Sequence, residues 1–106
     1  MTTTRARLSA GLALVLVGLA GAATPAARAD AVDNLFVTAV KNHGIDFQSP
    51  QAAIVAGHEV CDELDLGKQK SDIASEVMTN SNLDGYKAGF FIGASVAAYC
   101  PRYRGS

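Results

Sequence analysis

Cys61 and Cys100 are the only two cysteines in this chain, and a bond between them would tie the middle of the sequence to its end. Whether they can be joined depends on the compartment, because the reducing cytosol does not sustain structural disulfides. The first thirty residues bear on that question. Arg5 and Arg7 open the chain with positive charge, and Leu8 to Ala23 is almost wholly apolar. Pro25 then breaks the run, and Ala27-Arg28-Ala29 supplies the small residues a signal peptidase needs. The run falls short of the ~20 apolar residues that a bilayer core requires, and no cysteine follows it to carry a lipid anchor. We read residues 1–29 as a signal peptide cleaved near Ala29, before Asp30. Residues 30–106 are then a single helical domain with a short flexible C-terminal tail, RYRGS, expected to be secreted or held in the cell envelope.

That domain carries four Lys and two Arg against seven Asp and three Glu, a net charge of −4. This is the wrong sign for nucleic acid, whose phosphates are met by basic side chains, and equally for anionic lipid. It has no second apolar stretch long enough to span a bilayer. A domain this short buries a modest core, and conformational entropy nearly cancels the gain. Small exported domains commonly compensate with disulfides. Two cysteines allow one pairing, and a Cys61–Cys100 bond closing a loop of about 40 residues is worth roughly 4 kcal/mol on the loop-entropy account.

Four segments show helical periodicity and none alternates, so the fold class is all-α, a small bundle of about four helices closed by one disulfide. The first runs from Ala31 to His43, capped by Asp30 and ended by Gly44. The second starts at Ser49-Pro50, a capping hydroxyl before a proline, and continues to about Asp65, with Gly67 as its stop. Ser71 can cap a short third segment ending near Asn80, and the fourth runs from about Leu83 to Tyr99. The core expected from these patterns includes Leu35, Phe36, Val60, Leu64, Phe91, Ile92 and Tyr99. Gly89 and Gly93, one turn apart, are expected to let a neighbouring helix approach closely. Short connections favour antiparallel neighbours, which brings the C-terminal ends of the second and fourth helices together, with Cys61 near one and Cys100 on the other.

Three sharper readings attach to GHEVCDELDLG, residues 57–67. As a nucleophile, Cys61 would need positive charge or a helix N-terminus beside it. It lies near a helix C-terminus among carboxylates, which oppose a thiolate. As a metal site, His58-Glu59-Val60-Cys61-Asp62 resembles the HExxH zinc motif with Asp62 in place of the second histidine. His58 and Asp62 are its candidate ligands, but a third ligand is needed and the only other histidine is His43. As a carrier, Tyr99, Tyr103, His43 and His58 could serve haem or line an apolar cleft, although the chain leaves little volume for one. No phosphate loop, serine elbow or acid/base pair stands out. No catalytic residue and no cofactor is therefore assigned, and an enzyme ranks last, behind a carrier of haem or a small apolar ligand. An interaction or envelope-associated module with an unknown protein partner ranks first.

Read together, LFVTAVKNHGI (35–45), AIVAGHEVCDELDLG (53–67) and FIGASVAAYCP (91–101) resemble the small exported mycobacterial proteins of domain-of-unknown-function family 732. The most specific part pairs Ala53, Gly57, Val60, Cys61, Leu64 and Gly67 with Phe91, Ile92, Tyr99, Cys100 and Pro101. The resemblance implies a helical fold, one disulfide and export to the envelope or medium. It carries over no catalytic residue, and His58 with its acidic neighbours is not part of the pattern.

Overall fold

The computed structural model describes residues 24–105; the apolar run from Leu8 to Ala23 lies outside the described residues. Four helices follow one another: α1 (Pro25–Asn42), α2 (Pro50–Asp65), α3 (Lys70–Asn80) and α4 (Gly85–Tyr99), then a 3-10 turn at Pro101–Tyr103. No strand occurs among the described residues. The fold is all-α.

The helix starts show where local chemistry decides. Ser49 accepts a hydrogen bond from the Ala52 amide at 3.1 Å, with Pro50 in the first turn, as the sequence predicts. Asp84 does the same for Lys87 at 2.8 Å and sets the start of α4 two residues later than Leu83. The other two caps differ from expectation. Thr24 caps α1 through the Ala27 amide at 3.1 Å, so Pro25 begins a helix instead of breaking one. Proline is pre-organised for the first turn, where its missing N–H is not needed. Asp30 consequently lies inside α1 rather than at its cap. Ser71 lies inside α3, which starts at Lys70 after Gln69 with no side-chain cap at all. Gly44 and Gly67 supply the left-handed conformation, at φ 73° and 92°, that turns the chain after α1 and α2.

Helix α4 is the centre of the bundle and packs against each of the other three. It runs antiparallel to α1: Asp33 meets Tyr99 at one end, and His43 meets Phe90 at the other. The core combines Phe36 and Val40 from α1, Ile45 from the connector, and Ala53, Val60 and Leu64 from α2. Ile73 from α3 and Phe91, Ile92 and Val96 from α4 complete it. Phe36 anchors a ring cluster, 6.0 Å from Phe91 and 5.2 Å from Tyr99, with Phe47 5.6 Å from Phe91.

One expected core position is corrected. Leu35 is 72% exposed, because α1 buries the stripe through Phe36 and Val40 and Leu35 projects about 100° round the helix from Phe36. Tyr99 is half-buried, its ring inside and its hydroxyl at the edge. The glycines of α4 are corrected too. A Cβ built at Gly89 or Gly93 would meet nothing within 4 Å and both positions are exposed, so no close helix approach occurs there among the described residues. The close approach is at Gly57 instead, where an added Cβ would lie 2.8 Å from Phe36 and 3.0 Å from Tyr99. Gly93→Ala is therefore expected to stabilise the fold by roughly 0.5–1 kcal/mol, the helix penalty of glycine with no packing cost to offset the gain. A melting midpoint that falls in this variant would show that the face is covered.

Candidate binding groove

The two cysteines meet at the C-terminal ends of α2 and α4. Cys61 and Cys100 are bonded, with Cα atoms 5.9 Å apart and side chains 6% and 0% exposed. A disulfide has no thiolate to offer, so the nucleophile reading of Cys61 ends here. The segment after Cys100 was expected to be a flexible tail, and it is docked. Arg102 and the Tyr103 hydroxyl both donate to the Asp65 carboxylate, and Lys70 donates to the Tyr103 carbonyl at 2.7 Å. Those donors, Tyr103 first and Arg102 second, hold the Asp65 carboxyl below its ordinary range. Arg102 and Tyr103 of RYRGS fit Asp65 at the end of α2, a match that periodicity alone does not reveal.

His58 and Asp62 are not brought together with further ligands. The His58 ring lies on Tyr99, centroids 3.9 Å apart, whereas His43 stacks on Phe90 at 3.5 Å. Tyr99 and Phe90 are nine residues apart on α4, about 13 Å along its axis, which keeps the two histidines away from a common site. Among the described residues no three His, Cys, Asp or Glu side chains gather as metal ligands.

Tyr99 also donates to the Asp33 carboxylate at 2.6 Å, linking α4 to α1. Burial of the phenol, then the bond to Asp33, pushes its pKa well above the ordinary tyrosine value. A raised folded pKa contributes stability that is complete below the unfolded value near 10 and is lost as pH climbs through the folded one. Tyr99→Phe should cost about 1 kcal/mol near neutrality, a charge-accepted bond discounted for partial exposure. The difference from wild type should shrink above about pH 10, as melting curves across that range would show.

Glu59 and Asp62 belong to a different feature. Between α2, α3 and the connector at 81–83 runs an open groove of about 400 Å³. Phe47, Ala56, Val77 and Leu83 line its apolar floor over the buried Val60 and Phe91. Its rim is Glu59, Asp62 and Glu63 from α2 and Glu76 from α3, with Asn80 and Ser81 at the end. No Lys or Arg is among the lining residues. At one edge the Lys68 ammonium bridges the two helices, 2.8 Å from Glu63 and 2.9 Å from Glu76. Its bonds to these two carboxylates raise the Lys68 pKa, and Lys68 lowers that of Glu76. A second depression, of about 360 Å³ between α1 and α4, is lined by Val32, Leu35, Ala39, Phe90 and small alanines, with no charged residue. The sequence offered Asp62 as a candidate metal ligand and Glu59 as part of the same stretch, with no means to find the groove. A lining drawn from several elements leaves no periodic signal.

The family described as "Protein of unknown function (DUF732)" matches residues 28–102. Uncharacterized proteins from Mycobacterium bovis and from two strains of Mycobacterium tuberculosis are each 34% identical over 102 residues. These alignments cover 96% of this chain and 84% of each relative. No solved structure matches the chain.

Proposed function

This chain belongs to the family of proteins of unknown function DUF732, and we propose that it is an exported binding module, not an enzyme, that receives a protein partner in the groove between α2 and α3. The groove carries this reading, because apolar floor and charged rim occur together there. Such a pairing, an anchor pocket inside a polar border, is how interfaces concentrate affinity and exclude water. Export is supported by Ala27-Arg28-Ala29 after an apolar run and by a disulfide, which persists outside the cytosol. No described helix is long and apolar enough to cross a membrane.

Asn80→Trp fills the mouth of the groove from an exposed position without touching the core. Wild-type protein taken from the host's culture medium or envelope should migrate in a native gel as a complex, and this variant as the free domain with an unchanged melting midpoint. Co-migration of the two would remove the groove from the account. N-terminal sequencing of the same material should begin at Asp30; an intact Leu8 to Ala23 segment would remove export.

A further inference from the structure

We propose that the groove takes a protein segment in which a bulky apolar residue is flanked by lysine or arginine. This rests on the reading of the groove as the docking surface and adds the chemistry of its occupant. The exposed parts of Phe47, Ala56, Val77 and Leu83 offer a floor with no hydrogen-bonding groups of their own. An apolar side chain is what such a floor desolvates without cost. The border is of one sign: Glu59, Asp62, Glu63 and Glu76 with no lining cation. Lys68 shows what this border accepts, since its ammonium sits across Glu63 and Glu76 at 2.8 and 2.9 Å.

Glu59 and Asp62 stand next along α2 on the same border, and among the described residues neither has an ion pair. They are one helical turn apart, a rise of about 4.5 Å, close to the spacing of basic side chains one turn apart on a partner helix. The −4 charge of residues 30–106 adds long-range attraction for such a segment and repels acidic ones. The anionic border also turns away phosphate and carboxylate ligands. A free polyamine meets the border but leaves the floor open.

The test uses the oxidised protein recovered from its host and a short fluorescein-labelled peptide with a Trp-Leu pair between two lysines, read by anisotropy. Matched peptides carry glutamates for the lysines, or serines for the Trp-Leu pair, and spermine serves as competitor. Binding of the first peptide should weaken with added salt. It should also weaken about fivefold or more in Glu59→Gln/Asp62→Asn, which removes two partly exposed charge contacts. Asp46→Asn/Asp72→Asn, neither of them a lining residue, should bind as wild type does. Both control peptides should bind weakly, and spermine should compete poorly. Equal binding of the glutamate peptide, or indifference to Glu59→Gln/Asp62→Asn, overturns the proposal. Spermine binding as tightly as the peptide overturns it in favour of a small polycation. If no peptide binds while Asn80→Trp still disrupts the native complex, this inference falls and the docking surface stands. If Asn80→Trp has no effect, the docking surface itself falls.

Discussion

Gly57→Leu is expected to destabilise the domain by about 3 kcal/mol or more, the upper range for overpacking a filled core. Gly57 is buried on α2 where α1 and α4 both lean on it. The first carbon of any side chain would lie 2.8 Å from the Phe36 ring and 3.0 Å from Tyr99. Phe36 is 2% exposed and in ring contact with Phe91 and Tyr99, so a shift would disturb both contacts. Moving Tyr99 would break its bond to Asp33 and its contact with His58. Even Gly57→Ala should lose stability on balance, since about 1 kcal/mol of helix propensity is set against about 1–3 kcal/mol of overpacking. Urea denaturation reads both variants. A Gly57→Ala protein as stable as Gly93→Ala would mean that the Phe36 ring can move aside.

Removing the disulfide is the second large effect. Cys61→Ala and Cys100→Ala should each cost about 2–5 kcal/mol, and the double variant little more than either, because all three lose one bond. The loss should extend to the docked C-terminal turn. Cys100 immediately precedes Pro101, and the bond holds Arg102 and Tyr103 within reach of Asp65. Hydrogen exchange at Arg104, whose amide bonds the Pro101 carbonyl, should therefore quicken in all three variants. Costs that add in the double variant would mean that the cysteines contribute separately and not as a pair.

Much of the scaffold was legible in the residues. The Ser49-Pro50 start, the glycine stops and the single possible cysteine pairing each rest on local chemistry or arithmetic. The errors have a common cause. Leu35 fits the helical period of α1 as well as Phe36 does, and only the position of α4 decides which of them is covered. Gly57 and Gly93 read alike as small residues on apolar helices. One is pressed by two rings and the other faces open space, a difference that belongs to packing and not to the pattern. Asp65 and the C-terminal Arg102 and Tyr103 are far apart in sequence, and their bonds follow from the disulfide. The groove was the least legible feature, since its lining comes from α2, α3, α4 and the connectors before α2 and α4.

The groove between α2 and α3 is proposed as the working surface. A photo-crosslinking side chain at Asn80, at the end of the groove, can be compared in the living host with one at Thr38, exposed on α1. Illumination should give a discrete protein adduct from Asn80 and none from Thr38, and Glu59→Lys/Asp62→Lys should abolish the adduct while leaving the fold intact. An adduct from Thr38 alone, or an Asn80 adduct indifferent to reversal of those charges, would contradict the account.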